Sequence, residues 1–244
     1  MTEMMEWLGA ISWVSVLEII AIDVLLGGDN AVVIALACRN LPPKQRTAGI
    51  VWGTVGAIVL RVVLIFFALA LLSVPWLKIV GGALLIWIGV KLLLPQDEGH
   101  GDVQGSDRLW GAVRTVIVAD LVMSLDNVVA IAGAAQKADP GHQLGLVVFG
   151  LLVSIPIIVF GSQLVIKLMD RFPMVITFGG MLLGWIAGGM AVTDTAVAPW
   201  LAGADGAVPA AVRYGAGVAG AVFVLLLGKW LAGRAGKQPP AAAA

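Results

Sequence analysis

Residues 23–35 read DVLLGGDNAVVIA, and residues 120–132 read DLVMSLDNVVAIA. Both segments carry Asp-x5-Asp-Asn inside an apolar stretch, and Asp23 aligns with Asp120 at an offset of 97 residues. The similarity continues downstream, where PWLKIVGGALLIWI (75–88) aligns with PMVITFGGMLLGWI (173–186) at an offset of 98. An apolar composition produces chance matches of leucine and isoleucine but not these polar and proline positions together. The sequence therefore predicts an internal duplication.

The composition is that of a membrane protein. The chain has 244 residues, of which 60% are hydrophobic and only 12% are charged, about half the charge of a soluble domain. Apolar segments of about 20 residues, the length that spans a bilayer, are centred near residues 25, 60, 85, 123, 156, 183 and 220. We predict an all-α membrane protein with seven transmembrane helices.

The duplication predicts how these helices are organised. Repeat A covers about residues 10–94 and repeat B about 108–194, and each contains three spans. An odd number of spans inverts the second copy in the membrane, an arrangement that recurs in transporters with a midplane substrate site. The seventh helix, about 208–232, lies outside the repeat and completes a single transmembrane domain at 1–232. Residues 233–244 are predicted to be a disordered cytoplasmic tail.

The distribution of charge predicts the orientation. Alternating spans place eleven of the fifteen Lys and Arg residues on one side, which the positive-inside rule makes cytoplasmic. The N-terminus is then outside, the C-terminus is inside, and a bacterial inner membrane is the expected location. A net charge of zero gives no indication of a nucleic-acid partner. The single cysteine, Cys38, excludes an internal disulfide.

The duplicated polar residues are the candidate site, because carboxylates at membrane depth are costly and usually functional. All of them offer oxygen donors, which suit hard divalent cations such as manganese, magnesium or calcium rather than zinc or copper. Four neighbouring carboxylates also raise one another's pKa, so we expect proton exchange when a cation leaves. The predicted metal ligands are Asp23, Asp29, Asn30, Asp120, Asp126 and Asn127.

Helical geometry separates these ligands. Asp23 and Asn30, seven residues apart, share one face, whereas Asp29 lies about 120° away from Asp23. We expect an interruption of the helix at Gly27 and Gly28 to bring the three together. Glu18 is a weaker candidate for an accessory ligand.

Other residues allow alternatives. Arg61 lies in the middle of a span and is either a structural counter-ion for the aspartates or part of a gate. The aspartates could also serve packing alone, by pairing with Arg61 or by hydrogen bonding between helices. The glycine pairs at 49/53 and 184/188 predict close helix packing.

The segments LLGGDNAVVIALACRNLPPKQR (25–46) and ADLVMSLDNVVAIAGAA (119–135) resemble the TerC family of integral membrane proteins, in its YjbE-like branch, within the LysE-type transporter superfamily. The resemblance covers about residues 10–232. It implies export of Mn²⁺ as substrate, and the six predicted ligands match the acidic motifs held to bind the ion. Other branches show Glu at the position of Asp23 and Ser at that of Asn127, which preserves an oxygen site.

Several functional hypotheses remain open. The first is a divalent-cation transporter, in particular an Mn²⁺ exporter with proton coupling, and Ca²⁺ is an alternative substrate. The second is a metal-binding membrane scaffold or stress-response partner, of the tellurite-resistance type, without flux. An intramembrane aspartyl hydrolase is disfavoured because no further catalytic constellation accompanies the aspartates, so we do not expect an enzyme. The expected partners are the cation and the lipid bilayer, and a homo-oligomer is an open alternative.

Overall fold

The computed structural model describes residues 17, 19–21, 23, 28–72, 74–94, 105–135, 143–203 and 206–235. All regular secondary structure within these residues is helical, which confirms the predicted all-α class. The helices are α1 (Gly28–Cys38), α2 (Pro43–Leu72), α3 (Leu77–Leu93), α4 (Gly105–Ala135), α5 (Gln143–Arg171), α6 (Met174–Val192), the short α7 (Ala198–Leu201) and α8 (Ala210–Ala235).

Four segments of the described chain are long and apolar enough to cross a membrane: Pro43–Phe67, Gly145–Arg171, Met174–Val192 and Ala210–Arg234. The chain is therefore a membrane protein with several spanning helices. Helix α3, with 17 residues, lies at the lower limit of a spanning length. The last helix continues to Ala235, three residues into the predicted tail, and residues 236–244 lie outside the described residues.

Prolines set two of the helix boundaries. Helix α2 begins at Pro43, because proline has no N–H to leave unsatisfied in a first turn and its φ suits a helix. The N–H groups of Gln45 and Arg46, also in this first turn, bond to the carbonyl of Pro42 at 2.8 and 3.0 Å. Helices α5 and α6 are separated at Phe172 and Pro173, where the missing N–H cannot continue the ladder.

The chain forms two compact units, and each takes helices from both repeats. Unit 1 contains residues 1–73 and 108–167, which include α1, α2 and most of α4 and α5. Unit 2 contains residues 74–107 and 168–244, which include α3, α6, α7 and α8.

In unit 1, glycines allow helices of different repeats to approach. A Cβ placed on Gly53 of α2 would lie 3.0 Å from the side chain of Val116 on α4. The aligned glycine of repeat B, Gly150 on α5, faces Ile19 in the same way, at 2.6 Å. Ile19 aligns with Val116 at the offset of 97, so the two contacts are equivalent. In each, a glycine of one repeat faces an apolar side chain of the other, and the two contacts exchange the roles of the repeats. The contacts of Ile19 belong to a buried apolar core around it.

Unit 2 contains a second pair of equivalent contacts. A Cβ on Gly82 of α3 would lie 3.0 Å from the carbonyl oxygen of Ala187 on α6. A Cβ on Gly89 of α3 would lie 3.1 Å from the carbonyl oxygen of Gly180 on α6. At the offset of 98, Gly82 aligns with Gly180 and Gly89 with Ala187, so this pair also exchanges the repeats.

The packing of α6 on α8 is closer still. A Cβ on Gly184 or on Gly188 would collide with a backbone carbonyl of α8, that of Gly220 or of Ala216 respectively. These glycines therefore leave no room for a side chain, which confirms the close packing predicted for the Gly184-x3-Gly188 pair. The neighbouring Gly189 has no atom within 4 Å of the position its Cβ would take.

A buried carboxylate caps the N-terminus of α3. Asp194, which follows α6, accepts hydrogen bonds from the backbone N–H groups of Trp76 (2.9 Å), Lys78 (3.0 Å) and Ile79 (3.4 Å). It also accepts one from the N–H of Ala196, two residues further along the chain, at 2.8 Å. Trp76 has a left-handed conformation with φ of 69°, which is unfavourable for a residue with a Cβ. The carboxylate thus fixes a strained turn and satisfies the free N–H groups of a helix end.

We predict that Gly188→Ala destabilises the protein by about 1–3 kcal/mol, because the added methyl forces α6 away from α8. Gly189→Ala is the matched control and should be neutral or slightly stabilising, since alanine favours a helix and the site is open. Thermal unfolding of both variants in detergent provides the comparison. Equal stability of the two variants would contradict the close contact.

A second prediction concerns Asp194. Burial alone raises the pKa of this carboxyl, but the hydrogen bonds from Ala196, Trp76, Ile79 and Lys78 outweigh it and hold the pKa below its usual value of 3.8. A lowered pKa in the folded state contributes stability above the unfolded pKa, and this stability is lost as the pH falls toward the folded value.

Asp194→Ala should therefore lower the free energy of unfolding by about 2 kcal/mol at neutral pH. The difference from the unsubstituted protein should shrink as the pH is lowered below 3.8. The exposed Asp107→Ala is the control, with a small effect throughout. A difference for Asp194→Ala that does not change with pH would show that the charge of the cap is unimportant.

Candidate functional site

Arg61, in the middle of α2, is the centre of a buried polar network in unit 1. Its side chain is only 2% exposed. One terminal nitrogen pairs with Asp23, and the other pairs with Oδ1 of Asp120 at 2.5 Å. Asp23 and Asp120 are the equivalent aspartates of the two repeats, so one guanidinium joins both copies of the motif.

Two serines complete this network. The hydroxyl of Ser154 on α5 donates to Oδ2 of Asp23. Ser124, one turn after Asp120 on α4, accepts a hydrogen bond from Nε of Arg61 and donates to Oδ2 of Asp120, both at 3.0 Å. All four carboxylate oxygens therefore have a donor, as buried charges require. One positive and two negative groups leave an excess negative charge in this region.

Asn30 lies beside this network at a small cavity. The cavity has a volume of about 10 Å³, close to the space that one water molecule needs, and it is lined by Asn30, Val33, Ile34, Val116, Asp120 and Met123. Asn30 is 3% exposed, and neither atom of its side-chain amide has a hydrogen-bond partner in the part of the chain that the structure describes. A buried amide without partners is costly, and this one lies next to a carboxylate.

The remaining predicted ligands are placed differently. Asp29 lies in the first turn of α1 and is half-buried, and its Oδ1 accepts a hydrogen bond from the backbone N–H of Asn30 at 2.9 Å. Asn127 is half-buried on α4.

Several predictions fall on parts of the chain that cannot be described. Asp126 is helical, but its side chain lies outside the described residues, as do Glu18 and Gly27. Gly28, the second glycine of the predicted interruption, is helical, so the described residues show no interruption of the helix there. Among the described residues, no three His, Cys, Asp or Glu side chains lie close enough to hold a metal ion together.

The structure thus brings Asp23 and Asp120 together and places Asn30 next to Asp120. Of the two alternatives for Arg61, pairing with the aspartates is what the structure shows. Sequence reasoning missed Ser154. Its signal was a hydroxyl two residues before Pro156 in an apolar span. Chemically, the region offers oxygen donors and excess negative charge, a combination that attracts a hard cation.

Comparison with known proteins finds relatives of this chain among integral membrane proteins. The model of the integral membrane protein TerC family matches residues 8–235. YjbE of Bacillus subtilis (strain 168), an uncharacterized membrane protein, is 43% identical over 190 residues, which are 78% of this chain and 84% of YjbE. YceF of the same organism is 26% identical over 186 residues, 72% of this chain and 70% of YceF. No solved structure matches the chain.

We predict that Ser154→Ala destabilises the protein by about 1–3 kcal/mol, because it removes a hydrogen bond to a buried carboxylate. Ser162→Ala is the matched control on the same helix. Ser162 is equally buried, but its hydroxyl donates only to the Ile158 carbonyl of its own helix at 2.8 Å, so its loss should cost less than about 1 kcal/mol. Thermal unfolding in detergent measures both, and equal losses would contradict the role of Ser154.

Proposed function

Because the chain belongs to the TerC family of integral membrane proteins, we propose that it transports a divalent cation across a bacterial membrane, with unit 1 holding the substrate site. The observation that carries this proposal is the meeting of Asp23 and Asp120, the equivalent residues of two repeats, on one buried guanidinium. Packing alone does not require the same Asp, Asp and Asn in both repeats. A substrate site formed by both copies does require polar ligands from each.

The proposed architecture is seven transmembrane helices with two inverted repeats. The equivalent contact pairs support it, because Gly53 with Val116 and Gly150 with Ile19 exchange the two repeats, as a twofold relation requires. The direction of α2 and α4 supports it as well. Gly53 faces Val116 and Arg61 reaches Ser124, so contacts advance together along both helices, which therefore run parallel.

Manganese is the proposed substrate, moved outward in exchange for protons. The oxygen donors Asp23, Asp29, Asn30 and Asp120 support a hard divalent cation as a class. The choice of Mn²⁺ within that class, and the outward direction, come from the resemblance to the family. The carboxylates support proton exchange, since groups that lose a divalent cation gain protons more readily. The proposed N-terminus is outside and the C-terminus is cytoplasmic, as the distribution of Lys and Arg indicates.

The test is flux in proteoliposomes that contain the purified protein. We expect saturable movement of Mn²⁺ that exceeds that of Ca²⁺ and Mg²⁺ and that a pH gradient accelerates. Asp29→Asn and Asp126→Asn should abolish flux while the protein stays folded, because each keeps the size of the side chain and removes an ionic ligand. The exposed Asp107→Asn, on the same helix as Asp120 and Asp126, is the control and should retain flux.

The outcomes separate the hypotheses. Saturable Ca²⁺ flux without Mn²⁺ flux would change the substrate, and unchanged flux in both aspartate variants would reject the site. Clear metal binding without flux of any cation would instead favour a metal-binding membrane scaffold, the second hypothesis that the residues allow.

A further inference from the structure

Only one repeat supplies the arginine of the network. At the offset of 97, the position of Arg61 corresponds to Ile158 on α5, an apolar residue that is 6% exposed. The serines differ in the same way, because Ser154 aligns with Ala57 of α2. The two aspartates are therefore equivalent, but their partners are not.

Arg61 occupies the carboxylate oxygens that a cation would need. Its two terminal nitrogens contact Oδ1 of Asp23 and Oδ1 of Asp120, and hydroxyl groups contact the other two oxygens. A hard cation binds through such oxygens at about 2.0–2.6 Å, a distance at which it would replace the donors now present. A guanidinium and a divalent cation also repel each other strongly in a buried site.

We propose that Arg61 is a built-in competitor of the transported cation, so that guanidinium and cation alternate on Asp23 and Asp120. This inference rests on the proposed function. When the cation binds, Arg61 withdraws from at least one carboxylate. When the cation leaves, Arg61 returns and compensates charges that would otherwise remain buried and unpaired. Arg61 thereby makes release of the cation favourable.

The geometry explains why arginine suits this role. Its planar guanidinium presents several N–H donors at fixed angles, so it contacts two carboxylates and Ser124 at once. A lysine ammonium is a single point charge and cannot contact all three groups in the same geometry. Arg61→Lys therefore keeps the charge but weakens the competition, and Arg61→Gln removes the charge.

The test is the equilibrium affinity for Mn²⁺, measured by calorimetry on the purified protein in detergent. We expect Arg61→Gln to bind Mn²⁺ more tightly, by on the order of tenfold or more, and Arg61→Lys to lie between it and the unsubstituted protein. Both variants should transport more slowly, because release becomes less favourable. A merely structural arginine predicts the opposite sign, since a disturbed site binds the cation more weakly.

Two further measurements keep the test decisive. If Arg61→Gln does not fold, the affinity of Arg61→Lys relative to the unsubstituted protein decides by its sign alone. In Arg61→Ala, dilute guanidinium chloride should raise the apparent Kd for Mn²⁺, because the free ion occupies the vacated position, whereas equal sodium chloride should not. Unchanged or weaker Mn²⁺ binding in the folded variants would overturn the proposal.

The failure of this inference differs from the failure of the proposed function. Absence of Mn²⁺, Ca²⁺ and Mg²⁺ flux in the unsubstituted protein would reject transport itself. Flux in the unsubstituted protein, combined with weaker binding in Arg61→Lys and Arg61→Gln, would reject only the competition and leave transport intact.

Discussion

The cost of burying charge is the constraint on which unit 1 depends. Asp23 and Asp120 are almost fully buried, and each keeps a partner on both of its oxygens. Arg61 can reach them only because α2 and α4 lie close together, and that approach depends on Gly53 and Gly56, which face side chains of α4. The glycines of α2 therefore allow Arg61 to reach its partner on α4. The packing of these helices and the polar network depend on each other.

Unit 2 has a different chemistry. Its helices approach through glycines that face backbone carbonyls, as at Gly184 and Gly188, and contacts of this kind depend on shape rather than on charge. Its buried carboxylate, Asp194, serves a helix end and not a cation site, because it already accepts four backbone N–H groups. The same residue type thus caps a helix in unit 2 and pairs with a buried guanidinium in unit 1.

The site illustrates what sequence reasoning can and cannot supply. The duplicated Asp-x5-Asp-Asn identified Asp23, Asp120 and Asn30 because polar residues are conspicuous in apolar spans. It left Arg61 with two alternatives, because the face of a helix that meets a neighbour depends on how the helices pack. Ser154 has no counterpart in the other repeat, so the comparison of repeats could not reveal it. The assembly of the full ligand set stays a prediction.

The amino-acid pattern alone was enough to specify an all-helical membrane protein with a duplicated polar motif, because hydrophobic length and local spacing are properties of the chain. Tertiary structure decided which copies meet. It placed the first two helices of each repeat in one unit and the third helices in the other, and it assigned one arginine to two aspartates. These choices arise from contacts between residues about 40 to 130 positions apart, which local sequence patterns do not encode.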